Sequence, residues 1–163
     1  MEFPYDNGAV RRQDRLLGEP EALALLRRGE YGVLSMQAVE GGGYGVPLSY
    51  VWDGGVRVYV HCAPEGRKLL SLDRCPEVSF CVVGRTKVAP SKFTTAYESI
   101  VLRCHAVRGL EAGERMEALR LLLKKYAPED LEVGMKYAEK SFYRTEILRL
   151  EIVSVSGKSK VVK

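Results

Sequence analysis

The chain has 163 residues, 46% of them hydrophobic and 28% charged, with a formal net charge of +4, an ordinary balance for one globular domain that buries its own core. Its apolar stretches are far too short to span a bilayer, and residues 1–18 mix Arg, acidic residues and a Pro without the apolar segment of a secretory signal. These features predict a single domain over residues 1–163 that stays in the cytoplasm, with no membrane partner and too little positive charge to demand a nucleic acid.

In chain order, the first predicted element is a helix over residues 20–28, with Leu23, Leu25 and Leu26 on its buried side and Gly29 ending it. Three strands follow at 31–38, 44–52 and 56–62, separated by Gly41-Gly42-Gly43 and Asp53-Gly54-Gly55, which is hairpin turn chemistry. In the third strand Val56, Val58 and Val60 alternate with Arg57, Tyr59 and His61, the two-residue period of a half-buried strand. A helix carrying Arg67 stops near Arg74, before Pro76, and Pro64 suits its first position. A strand at 77–83, a loop through 88–91 and a long strand at 98–109 come next, the last with Ile100, Leu102 and Cys104 on one face. Residues 114–126 form the strongest helical segment, where Met116, Leu119, Leu122 and Leu123 recur at helical spacing. A second helix at 130–139 and a final strand at 144–156 complete the chain. Six strands, with early hairpins and later helices, predict a mainly β fold: an antiparallel six-stranded barrel with peripheral helices. The βαβα alternation and GxGxxG of a dinucleotide fold are missing from the sequence.

Chemistry concentrates where the third strand runs into its helix. Gly66 has no side chain to block a ligand, and Arg67 and Lys68 stand at the helix end whose free N–H groups favour an anion. A phosphate fits there, gripped by the Arg67 fork and by Lys68 as a point charge. The alternative is a surface helix that begins with two cations, each opposing the macrodipole by ~0.3–1 kcal/mol.

His61, one of two histidines, ends the strand beside that helix; its imidazole serves as a hydrogen-bond partner, a proton donor or a structural residue. His105 is the weaker candidate. Cys62 follows His61 directly, but adjacent strand residues point to opposite faces, a poor geometry for a nucleophile and its base. The cysteines Cys62, Cys75, Cys81 and Cys104 lack CxxC spacing and read as free thiols, Cys81 and Cys104 as small buried hydrophobes. Pro47 lacks an N–H, which suits a sheet edge or a position beside a ligand. The sequence shows no metal-ligand cluster, Ser–His–Asp arrangement or P-loop. Tyr44, Tyr50 and Trp52 alternate, but too few cations flank them to read as a single-strand nucleic-acid surface.

The segment HCAPEGRKLLSL, followed by DRCPEVSFCV, resembles the helix entry of the flavin-binding split β-barrel proteins related to pyridoxamine 5′-phosphate oxidase, and within them the nitroimidazole-resistance (Nim-type) branch. RRQDR at 11–15, YGVLSM and YGVPLSYVWDGG within 31–55, YESIVLRCHAVRGLE at 97–111 and ILRLEIVSVSGK at 147–158 match in the same order, so the resemblance covers nearly the whole chain. It implies a six-stranded split β-barrel and a homodimer with a flavin mononucleotide (FMN) at each interface site, touching both chains. It further implies an FMN-dependent oxidoreductase acting on nitroaromatic or similar small electron acceptors. The implied cofactor contacts are Pro47, Leu48, Ser49 and Tyr50 beside the ring system; His61, Cys62, Ala63, Gly66, Arg67 and Lys68 at the helix entry; and Ser99 on the long strand. His61 is the implied catalytic candidate. Arg103 and Cys104 stand where Nim-type relatives tend to carry smaller or more apolar residues, which leaves the substrate open. Two alternatives remain: an oxidase of pyridoxamine phosphate, which needs a second phosphate site, and a non-catalytic binder of flavin, haem or deazaflavin.

Overall fold

A computed structural model describes residues 3–163; Met1 and Glu2, part of the N-terminal stretch read above, lie outside the described residues. Two hairpins come first, β1 (Gly32–Gln37) with β2 (Gly43–Leu48), and β3 (Val51–Trp52) with β4 (Arg57–Cys62). Three long strands follow, β5 (Glu77–Ala89), β6 (Thr94–Val107) and β7 (Glu146–Lys160). The helices are α1 (Glu19–Arg28), α2 (Arg67–Arg74), α3 (Ala112–Tyr126) and α4 (Leu131–Ser141). None of them is long and apolar enough to cross a membrane.

The strands make one antiparallel sheet in the order β2-β1-β5-β6-β7-β4-β3. This corrects the expected six strands to seven. The strand predicted at 44–52 breaks at Ser49-Tyr50: β2 pairs with β1, β3 pairs with β4, and the two halves occupy opposite edges of the sheet. Leu48 and Val51 are three residues apart, a reach of about 10 Å. The sheet therefore rolls until its first and last strands pass each other, and no ladder of hydrogen bonds closes the seam between them.

Other boundaries moved as well: β6 starts at Thr94 rather than 98, and β7 runs to Lys160 rather than 156. The strand expected to stop at Val83 continues to Ala89, past an irregularity between Val83 and Thr86, and pairs with the start of β6 from Thr86↔Tyr97 to Ala89↔Thr94. Its added side chains are largely exposed, so no apolar alternation marked them. Pro64 lies outside α2, which starts at Arg67 after Gly66 in a positive-φ conformation (φ 129°).

The roll encloses Leu34, Phe80, Ile100, Leu102, Leu148 and Leu150, all fully buried, and α1 plugs one end with Leu25 and Leu26. Gly29 closes α1 through close approach: a Cβ there would lie 2.5 Å from both the Tyr50 hydroxyl and a Val82 methyl. β4 is buried on both sides, because Val58 and Val60 face the main core while Tyr59 joins Val51, Ile147, Ala118 and Leu122 under α3. All four cysteines are free. Cys104 is buried as expected, whereas Cys81 is only half-buried, facing away from the core between Phe80 and Val82.

Candidate functional site

The seam is pinned at Tyr50, which is 0% exposed. Its hydroxyl donates to the Leu26 carbonyl at 2.6 Å, and its ring packs edge-on to Phe80 at 5.1 Å. Its N–H donates to the Tyr126 hydroxyl at 3.0 Å. The Lys125 ammonium donates to the carbonyls of Gly29 (2.6 Å) and Tyr50 (2.9 Å) and lies 3.7 Å from the centre of the Tyr50 ring. Every polar group of Tyr50 is thus engaged by protein, and its phenol belongs to the core. Burial pushes the Lys125 ammonium down to about 8. Sequence reading missed Lys125 and Tyr126, which look like ordinary surface positions at the end of a helix.

Either side of the seam carries predicted site residues. On one side, Pro47 of β2 and Ser49 just beyond it are exposed and Leu48 half-buried; on the other side, β4 ends in His61 and Cys62 and leads to exposed Ala63. The β3–β4 ladder itself stops at Val51↔Tyr59, so Ser49, in the break, is not paired with His61. Both line one cavity of about 420 Å³ between the seam and the α3–α4 pair. Neither side chain has a hydrogen-bond partner among the described residues. His61 is exposed at the end of β4, yet desolvation by the protein around its ring lowers its pKa below its usual 6.5, and the nearby Lys68 ammonium lowers it further. Cys62 packs against the core and its thiol is raised by burial, so His61 and Cys62 do face opposite ways.

Beyond Ala63, α2 is tied to the β1–β2 turn. Ser71 accepts the Val39 N–H at 3.0 Å, Arg74 donates to the Val39 carbonyl, and Arg67 pairs with Glu40. This sets Arg67 4.0 Å over the Tyr44 ring at the start of β2. Gly66 faces open space, with nothing within 4 Å of a Cβ built on it. A phosphate at Gly66, Arg67 and Lys68 would meet free helix N–H groups and two cations. The free edge of β2 adds unpaired backbone groups suited to the rim of a heteroaromatic ring.

Ser99 is not brought to this place. It pairs with Val83 and Lys158 on β6, and two strands separate it from β2, about 14 Å at the usual strand spacing. It lies instead on the sheet's outer face, where Pro47, Val33, Cys81 and Val101 form a row across four strands and Val101 is 40% exposed. His105 bonds Glu77 at 2.7 Å on the surface, away from the seam. A second, open cavity of about 650 Å³ lies across Ser49 and Tyr126 from the first. Its cations are engaged: Arg28 pairs with Glu98 at 2.6 Å, Arg27 stacks 4.8 Å over Trp52, and Lys125 holds the seam. Among the described residues no cluster of His, Cys, Asp or Glu could hold a metal ion.

Comparison with known proteins agrees with the fold. Residues 18–159 match the family described as pyridoxamine 5′-phosphate oxidase. A candidate 5-nitroimidazole antibiotic resistance protein from Bacteroides thetaiotaomicron superposes with TM-score 0.75 at 17% identity, over 89% of this chain and 86% of that one. The flavocytochrome Anf3 from Azotobacter vinelandii gives TM-score 0.79 at 20% identity, over 99% and 77% of the two chains. An FAD and haem binding protein from Mycobacterium smegmatis gives 0.68 at 16% identity, over 89% and 72%. No curated protein matches the chain.

Proposed function

The chain belongs to the pyridoxamine 5′-phosphate oxidase family, and on that premise we propose that it is an FMN-dependent oxidoreductase of nitroaromatic or similar small electron acceptors. One observation carries the reading: the unpaired edge of β2 runs from Tyr44, under Arg67 at the cationic entrance of α2, to Leu48, next to Ser49 and the cavity it shares with His61. A phosphate seat and a ring seat thus adjoin along one strand. Gly66, Arg67 and Lys68 hold the phosphate; Pro47, Leu48 and Ser49, with His61, Cys62 and Ala63 opposite, flank the ring. Tyr50 contributes by fixing the crossing. Bound FMN supplies the electron transfer, and the protein orients it and excludes competing reactions. His61, unpartnered and beside the ring seat, is placed to give a proton to a reduced acceptor.

The working unit of this proposal is a homodimer in a split-barrel arrangement, since the apolar outer row invites a second copy. In such a pair the partner brings its own Ser99 to the ring. Oxidation of pyridoxamine phosphate is disfavoured because the Ser49–His61 cavity carries no cationic side chain to receive a second phosphate.

A haem reading keeps one observation of its own: the unpartnered His61 imidazole at an apolar cavity is the side chain that would hold haem iron. The visible absorption spectrum of the purified protein decides: flavin bands support the proposal, a Soret band without them replaces it. FMN binding more tightly than riboflavin would then place the phosphate.

A further inference from the structure

The cavity beside Ser49 and His61 has a lining that selects its occupant. Leu119, Leu122 and Leu123 of α3 form one wall, and Ala138 and Tyr137 of α4 face them. No Lys, Arg, Asp or Glu lines it. Its deeper hydroxyls are already used: Ser141 donates to the Tyr137 carbonyl and Thr145 to the Ser141 carbonyl, both at 2.9 Å. The Tyr126 hydroxyl is held by Tyr50 and Glu30. What remains is an apolar slot with three polar side-chain groups unpaired among the described residues, the Ser49 hydroxyl, the His61 imidazole and the Tyr137 phenol.

The slot is also kept narrow. Gly134 lets α4 close onto α3, since a Cβ there would lie 2.6 Å from a Leu123 methyl. Arg115 ties the helices at the other end, donating to the carbonyls of Phe142 (2.9 Å) and Thr145 (2.6 Å). A charged group inside the slot would lose its hydration with no Lys, Arg, Asp or Glu among the lining residues to pair with it. A flat apolar ligand with one polar edge satisfies both the walls and the mouth.

We propose that the α3–α4 cavity binds an uncharged, flat ring compound whose polar edge meets Ser49 and His61. Its role as the seat of the electron acceptor rests on the flavin reading above; its capacity to bind does not.

The test uses 2-naphthol as the neutral probe and naphthalene-2-sulfonate as its charged counterpart, on methyl-labelled protein with and without FMN. The expected result is that 2-naphthol shifts the methyl resonances of Leu119, Leu122 and Leu123, with the sulfonate at least about tenfold weaker. Ala138→Phe and, separately, Leu119→Trp fill the slot and should abolish those shifts while FMN affinity stays at the parent value. The proposal is overturned if 2-naphthol leaves these methyls unmoved, or if the sulfonate binds equally well. It is also overturned if FMN alone produces the same shifts and excludes 2-naphthol, for then the cavity is the cofactor's. Methyl shifts by 2-naphthol in a protein that binds no FMN would support the pocket and refute the flavin reading; FMN binding with no 2-naphthol-induced methyl shifts would do the reverse.

Discussion

The Lys125 ammonium sits 2.9 Å from the Tyr50 carbonyl and 3.7 Å from the centre of its ring, at the point where the two edges of the sheet pass each other. A lysine on α3 thereby holds the crossing next to Ser49, which shares its cavity with His61. With its pKa at about 8 against the usual 10.5, the unfolded chain binds the extra proton between those values. Lys125 therefore adds stability as pH rises from about 8 towards 10.5, and its full cost is present below about 8. The gap in denaturation free energy between parent and Lys125→Met should move in the parent's favour across that range, by on the order of 1 kcal/mol. Burial raises Tyr50, Tyr59 and Cys104, which act in the opposite direction but are common to both proteins. A gap independent of pH would show that burial does not lower the Lys125 pKa.

Arg67 is half-exposed and already paired with Glu40, so its grip on a phosphate competes with a carboxylate. Arg67→Ala should weaken FMN by roughly ten- to a hundredfold, the loss of one charge-assisted contact of about 1.5–3 kcal/mol, with riboflavin unaffected. Glu40→Gln should strengthen FMN a few-fold by releasing the guanidinium. Fluorescence titration of both flavins against both variants checks the pair, and equal effects on FMN and riboflavin would move the phosphate elsewhere.

His61→Asn should keep the flavin spectrum and lower acceptor reduction by about 10²–10⁴-fold, as for a lost proton donor. Because the folded pKa lies below 6.5, the donor form declines as pH rises through that lowered value. The parent's rate should fall correspondingly, and the variant's should not. The same sign makes His61 a small destabilising influence in acid, where the unfolded chain takes the proton more readily. Single-turnover reoxidation at full flavin occupancy is the measurement; equal rates in parent and variant would remove His61 from the chemistry.

Cys81→Arg or Val101→Glu puts charge into the apolar row on the outer sheet face. Each should give monomers by sedimentation, with FMN lost in proportion, since a site completed by a partner cannot survive dissociation. Monomers that retain FMN at parent affinity would assign the whole site to one chain.

Much of this was legible in the sequence. The Gly-rich turns announced both hairpins, and the Leu spacing of residues 119–123 announced α3. Gly66, Arg67 and Lys68 indeed open α2. The break at Ser49-Tyr50 was not legible, because 44–52 alternates as one strand and only pairing with distant strands divides it. Lys125 was hidden for a related reason: nothing local distinguishes a helix-end lysine in water from one packed on a tyrosine of another element. Ser99 sits on the expected strand, but its distance from β2 is fixed by sheet order, which a local pattern does not encode.

The two-residue crossing also dictates when the molecule can be finished. β3 and β4 are made early, yet β4 is held in the sheet only by β7, its partner from Arg57↔Glu151 to Cys62↔Glu146. During synthesis the first hairpin has β5 and β6 to lean on, while the second waits unsupported until residues 146–151 have emerged. Such long-range closure slows folding, and in that interval the exposed edge of β4 is a ready partner for another nascent chain. Refolding should therefore show a late phase reported by Trp52, after the strands around Phe80 have already gained protection from exchange.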